Sequence, residues 1–232
     1  QYNRNELFLA AGIGRAFSNW GELGVYAEVA AGDFEKQVGS NALPNDVNYQ
    51  IRNLGAVFKI DTVDSLYLPR EGVLVDMRYV EGNESWGSSD TFQQGSLDII
   101  GAVPFKNSSV FGGVRYHANS GNPGLQNWFE VGGVTRFSAY QLDSVNVENY
   151  RMAFLGYNYR VGQLLKRSTV IGGTVEYGKI WGDADLSDIE GYQTHGSVFL
   201  GFDSWIGLFL LGYGRDTDGA SNWFVTLGHN QF

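Results

Sequence analysis

Ile171-Gly-Gly-Thr-Val-Glu-Tyr-Gly-Lys-Ile-Trp181 is the stretch on which the fold turns. Its large apolar and aromatic residues, Ile171, Val175, Tyr177 and Trp181, fall at one parity. Thr174, Glu176 and Gly178 fall at the other. Successive side chains of a strand point to opposite faces, so this spacing describes a strand with one greasy face and one small or polar face. The same alternation appears elsewhere. In 72–82, Val73, Val75, Met77 and Tyr79 oppose Asp76 and Arg78. In 97–105, Leu97, Ile99, Val103 and Phe105 share a face. In 110–117, Val110, Val114 and Tyr116 oppose Arg115 and His117. In 153–161, Leu155, Tyr157, Tyr159 and Val161 oppose Asn158 and Arg160.

Extended along the chain, the pattern predicts twelve strands, at 6–17, 21–34, 49–61, 71–82, 90–105, 108–119, 127–139, 149–163, 168–181, 194–205, 207–216 and 221–232. Turn residues occupy several gaps, among them Asn19 to Gly21, Lys106 to Ser109 and Asp216 to Ser221. The links at 35–48, 83–89, 118–126 and 182–193 are rich in Asn, Ser, Asp, Glu and Gly, as solvated loops are. With twelve strands, the long links 83–89, 118–126, 140–148 and 182–193 do not all fall on one side, which points to a miscounted strand.

Composition narrows the class. Charged residues are 18%, below the usual quarter, while aromatics are 15% and Gly is 32 of 232. That much aromatic and β-branched residue excludes disorder as the reason for the glycine. The net charge of −9 argues against a nucleic-acid partner. Absence of Cys excludes a disulfide scaffold and a Cys-based zinc site. The longest greasy run, Trp205 to Tyr213, falls well short of the roughly 20 apolar residues of a membrane helix. A transmembrane barrel hides from such a search because only alternate residues face lipid. The expectation is therefore an all-β, antiparallel transmembrane barrel over residues 1–232, in preference to a soluble sandwich or propeller. Closure would also remove the exposed edges of so wide a sheet, as lipid demands. The N-terminus lacks a secretory signal pattern, so a mature chain or one cut from a longer precursor is expected.

Val131-Gly-Gly-Val-Thr-Arg136-Phe-Ser-Ala-Tyr140 resembles the inward-folding loop motif of the bacterial surface antigen barrel, in the outer-membrane assembly-factor superfamily. Arg136-Phe-Ser-Ala-Tyr140 is most similar to the Arg-Leu-Ser-Gly-Tyr pattern of patatin-like type Vd autotransporters. Gly173 to Trp181, Gly196 to Asp203, Ile206 to Gly214, Leu227-Gly228 and Leu68-Pro-Arg-Glu-Gly72 resemble further family strands, so the likeness spans about 65–232. It implies an outer-membrane anchor and translocator, an upstream patatin-like phospholipase passenger, and outer-membrane lipid and the barrel-assembly machinery as partners. It implies no cofactor and no catalytic or metal residue in this chain. The family's barrels usually have sixteen strands, with five after the Arg loop. Five are expected here in 149–232 and seven before the loop, leaving four upstream unless the barrel is smaller.

The residues that carry the likeness are Gly132, Gly133, Arg136, Glu176, Gly178 and the terminal Phe232. Arg136 on the inward loop is expected to meet Glu176 on the lumen wall, since a guanidinium fixes a carboxylate through two parallel N–H groups. Phe232 has the opposite parity to Trp223, Val225 and Leu227, so a bulge is expected between Gly228 and Gln231. The six tryptophans near strand ends suit interfacial girdles.

Other functions leave weaker marks. There is no Gly-x-Ser-x-Gly elbow and no His-Glu-x-x-His zinc motif. His117, His195 and His229 are far apart in sequence, although His117 with Ser109 or Ser120 keeps an outer-membrane hydrolase open. A general assembly or transport barrel and a passive porin are the remaining alternatives.

Overall fold

The computed structural model describes residues 2–36, 46–65, 68–164, 167–182, 189–204 and 207–228. In chain order the strands are β1 (Tyr2–Phe17), β2 (Gly21–Lys36), β3 (Asp46–Asp61), β4 (Gly72–Gly82), β5 (Phe92–Phe105), β6 (Ser108–Gly121), β7 (Phe129–Val131), β8 (Val145–Val147), β9 (Asn149–Leu164), β10 (Arg167–Trp181), β11 (Gly191–Ser204), β12 (Gly207–Asp216) and β13 (Ser221–Gly228). Eleven of them form one sheet in the order β1-β2-β3-β4-β5-β6-β9-β10-β11-β12-β13, and β7 and β8 form a separate ribbon. Each neighbouring pair is antiparallel, as the alternation predicts.

The wall strand expected at 127–139 does not exist. Its place is taken by β7 and a loop, and β6 pairs directly with β9, from Ser108↔Tyr159 to His117↔Tyr150. Backbone conformation gives the reason. Gly132 and Gly133 have φ of 124° and 94°, and Thr135 and Phe137 have φ of 62° and 67°. Four positive-φ residues within six positions break the extended backbone that a wall strand needs. Removing this strand repairs the connections. The links at 37–45, 83–91, 122–148, 182–190 and 217–220 now share one end of the sheet. Those at 18–20, 62–71, 106–107, 165–166 and 205–206 share the other. Apart from the ten-residue 62–71 link and the four-residue 217–220 link, short turns lie at one end and long loops at the other, the asymmetry of an outer-membrane barrel.

Burial follows strand parity. Along β10, Thr174, Glu176, Gly178 and Ile180 are buried while Ile171, Val175 and Tyr177 are exposed. Along β9, Tyr150, Met152, Phe154, Gly156 and Asn158 are buried while Leu155, Tyr157 and Tyr159 are exposed. The outward face thus carries a continuous apolar surface, with Leu155 at 62%, Val175 at 64%, Val198 at 64% and Val225 at 64% exposure. Water-soluble monomers rarely expose apolar patches of this extent. A sandwich would point these residues at a second sheet, and among the described residues only the short β7–β8 ribbon lies outside this one.

The sheet is curved rather than flat. Flat, β6 and β13 would lie about 24 Å apart, five strand spacings. The compact loop after β7 touches both, through Arg115 Nε to the Thr135 carbonyl (3.3 Å) and Asn222 Nδ2 to the Tyr140 carbonyl (3.4 Å). The 62–71 link likewise crosses the turn end. The Pro69 carbonyl accepts from Ser109 Oγ of β6 (3.0 Å), and Leu68 packs over Gly201 of β11. Among the described residues, β1 pairs with β2 alone and β13 with β12 alone.

Candidate functional site

Residues 132–144 leave β7 and fold into the concave side of the sheet. Gly132 starts the reversal at a positive φ, and a Cβ there would collide with the Gln141 carbonyl. Five main-chain bonds close the loop on itself: Gly132 N–H to Arg136 O (2.7 Å), Gly133 N–H to Tyr140 O (3.1 Å), Arg136 N–H to Gly133 O (3.1 Å), Tyr140 N–H to Phe137 O (3.0 Å) and Ser144 N–H to Gln141 O (3.2 Å). The left-handed residues Thr135 and Phe137 turn nearby N–H groups to one side. Successive N–H groups arranged in this way form an anion-binding concavity.

Glu176 of β10 fills that concavity. It is fully buried, and its Oε1 accepts from Thr135 N–H (3.2 Å) while Oε2 accepts from Ser138 N–H (2.9 Å). Thr174 Oγ donates to the same carboxylate at 2.8 Å. The wall grips the loop at further points. Arg115 of β6 donates to the Thr135 carbonyl and its hydroxyl, at 3.3 and 3.4 Å, and forms an ion pair with Asp98 of β5 at 2.6 Å. His195 Nδ1 of β11 accepts the Ala139 N–H at 3.2 Å, which places the imidazole proton on Nε2. Tyr140 OH donates to Gln193 Oε1 at 3.2 Å. Burial, with Asp216 and Asp218 nearby, pushes the Tyr140 phenol up to about 12, so it stays a donor at neutral pH.

Packing completes the clamp. Phe137 is fully buried, edge-on to Tyr150 at 6.0 Å and to His195 at 5.3 Å. A Cβ on Gly178 would stand 2.8 Å from the Phe137 ring, and one on Gly214 would collide with the Ser138 carbonyl. These two wall glycines let the loop lie against β10 and β12.

The expected Arg136–Glu176 ion pair is not formed. Arg136 turns to its own loop, pairing with Asp143 at 3.3 Å and donating to the Glu130 carbonyl at 3.4 Å, and it is half-exposed. A buried carboxylate needs partners, and here main-chain N–H groups supply them. The acid on the wall does meet the loop, as expected, but through peptide groups rather than through the arginine. Gly132, Gly133 and Gly178 all lie in this assembly. Phe232 and the expected bulge after Gly228 lie outside the described residues. The sequence does not mark Arg115, Asp98, His195 and Gly214 as site residues; Arg115 and His117 show there only as the polar face of a strand.

The hydrolase alternative's pairing of His117 with Ser109 or Ser120 is not formed. His117 Nε2 is 2.9 Å from Asp98 Oδ1, and its ring stacks on Tyr150 at 4.5 Å. Ser109 lies eight residues along the same strand, about 26 Å away at strand rise, and donates to Pro69. Ser120 has the opposite parity to His117. The tryptophans divide. Trp20, Trp181 and Trp223 lie at outward positions near strand ends, but Trp86 and Trp128 belong to the long links, and Trp205 lies outside the described residues.

A curved antiparallel wall, greasy outside, with a loop clamped in its concavity, defines a transmembrane barrel with an occupied lumen. The chain is similar to the crystal structure of BamA from Haemophilus ducreyi lacking POTRA domains 1–3, with a TM-score of 0.76 at 10% identity, covering 97% of this chain and 54% of that one. It is also similar to CdiB from Acinetobacter baumannii, with a TM-score of 0.63 at 12% identity, covering 97% and 41%. The chain therefore shares its fold with these two structures. This chain spans about half of the first structure and two-fifths of the second. No protein-family model and no curated protein matches the sequence.

Proposed function

We propose that this chain is an outer-membrane barrel of Gram-negative bacteria that anchors and helps export or insert polypeptide, with residues 132–144 as its lumen loop. The main-chain clamp on Glu176 carries the reading. A passive pore needs an open lumen, whereas here the loop and the wall from β6 to β13 share one apolar cluster, including Val131, Phe137, Tyr150, Phe154, Phe199 and Leu210. The 62–71 link adds Leu68 to that cluster from the turn end. Transit would then require displacing the loop or opening the wall, so a seam route fits better than the lumen as it stands.

The finer form of the proposal is a tethered patatin-like phospholipase passenger upstream, supported by the resemblance of Arg136-Phe-Ser-Ala-Tyr140 to that branch. Two measurements test these levels. A Gly-x-Ser-x-Gly elbow preceding Gln1 in the parent protein supports the passenger, and its absence removes it. In intact cells, external protease should shave a domain fused upstream of the wild-type barrel but spare it behind Glu176→Ala. Equal shaving of both, with both barrels inserted, would overturn the role given to the loop. The porin reading has one observation in its favour, a polar cavity of about 1170 Å³ at the loop end, lined in part by Asp90, Gln126, Glu148 and Asn149. Stable ohmic conductance in planar bilayers, unchanged in a loop-deleted barrel, would favour it.

A further inference from the structure

Arg151 of β9 and Lys179 of β10 lie directly opposite one another on the outward face near the loop end. The row continues in register on both sides, with Tyr116 of β6 facing Arg151 and Tyr192 of β11 facing Lys179. Arg151, Tyr116 and Tyr192 are exposed and Lys179 is half-buried. Among the described residues, no carboxylate pairs with either cation. Aromatic rings flank them instead. The Arg151 guanidinium is 6.0 Å from the Trp181 ring centre, and the Lys179 ammonium is 5.6 Å from that of Tyr192. Tyr177 stacks on Tyr192 at 5.6 Å, and Tyr116 lies 6.1 Å from Trp181.

Like charges directly opposite on a ladder destabilise a sheet. The repulsion strengthens beside hydrocarbon, where the dielectric is low. Glu190, the acid next along this row, accepts the Gly182 N–H at 3.2 Å and forms no ion pair with Arg151 or Lys179. A shared anion reverses the sign: a guanidinium and an ammonium side by side present several N–H donors to one tetrahedral oxyanion. Flanking tyrosine and tryptophan mark the level of a bilayer's headgroups. The long-loop end of such a barrel faces the outer leaflet.

We infer that Arg151 and Lys179 form a site for the phosphate of a lipid headgroup in the outer leaflet, the phosphorylated glycolipid of that leaflet being its occupant. The inference rests on the outer-membrane reading. Its test uses the full-length protein in a neutral detergent, titrated with diphosphorylated lipid A and followed by native mass spectrometry. Removing two charge-assisted contacts in Arg151→Gln/Lys179→Gln should weaken binding by about tenfold or more. Arg160→Gln, a cation near the turn end, should leave it unchanged. Undiminished binding by the double variant overturns the site. So does equal binding of lipid A stripped of its phosphates, and so does full competition by inorganic phosphate at the same concentration. Insertion into phosphatidylcholine bilayers separates the two levels. If wild type and double variant both insert, only the phosphate site is being judged; if neither inserts, the membrane reading falls and the site with it.

Discussion

The wall from β6 through β13 and the wall from β1 through β3 share one sequence pattern but not one interior. On the first, the returning loop supplies Val131, Phe137 and Val147 to a continuous core with Phe111, Tyr150, Met152, Phe154, Ile180, Phe199, Leu210 and Phe224. On the second, the buried cluster is Ala30, Tyr49 and Ile51. β1 shows the contrast most plainly. Leu7, Phe8 and Leu9 are consecutive and so occupy both faces, yet they are 82%, 53% and 68% exposed. Alternation therefore makes a wall, but a core forms only where something enters the concavity. The loop-filled side is expected to be the rigid side, and the β1–β3 side depends on lipid and on further pairing.

Substitutions can break or sharpen this contrast. The largest effect is expected from Phe137→Ala, which empties the centre of the loop core and should cost about 4 kcal/mol, read as a lower urea midpoint in detergent micelles. Glu176→Ala strips the loop's N–H groups of their acceptor and should cost about 3 kcal/mol. Its signature is new protease cleavage within 132–144; a loop still protected would show that packing alone holds it. Ile51→Ala, on the sparse side, should cost only about 1 kcal/mol, because few buried neighbours are lost. A cost matching that of Phe137→Ala would erase the distinction between the two walls. The smallest effect is expected at Arg136→Ala. Its half-exposed pair with Asp143 contributes at most about 0.5 kcal/mol, and an unfolding curve superimposable on wild type is the expected result. A large loss there would restore the arginine as the loop's anchor.

The strand pattern was largely legible. β2, β4, β5, β6, β9, β10 and β12 start and end within about two residues of their expected limits, since each carries its own period-two signal. The exception is 127–139, expected as a wall strand, where Gly132 and Gly133 take positive φ and turn the chain inward. The candidate site was half legible. A loop that folds inward, its glycines and an acid on β10 were all named from the motif. The acid's partners are not legible, because a side-chain pair leaves residue types to recognise and a main-chain N–H leaves none.

By itself, the sequence determined which residues face outward and that the chain forms a many-stranded antiparallel wall. Those properties are local, fixed by side-chain alternation and turn chemistry. Only the tertiary structure decided that β6 meets β9, that the long links share one end, and that Glu176 is held by Thr135 and Ser138. Those outcomes depend on backbone dihedrals in the loop and on curvature that brings six strands around it. Peptide groups carry no side-chain identity, so the clamp is visible only where the wall curves around its own loop.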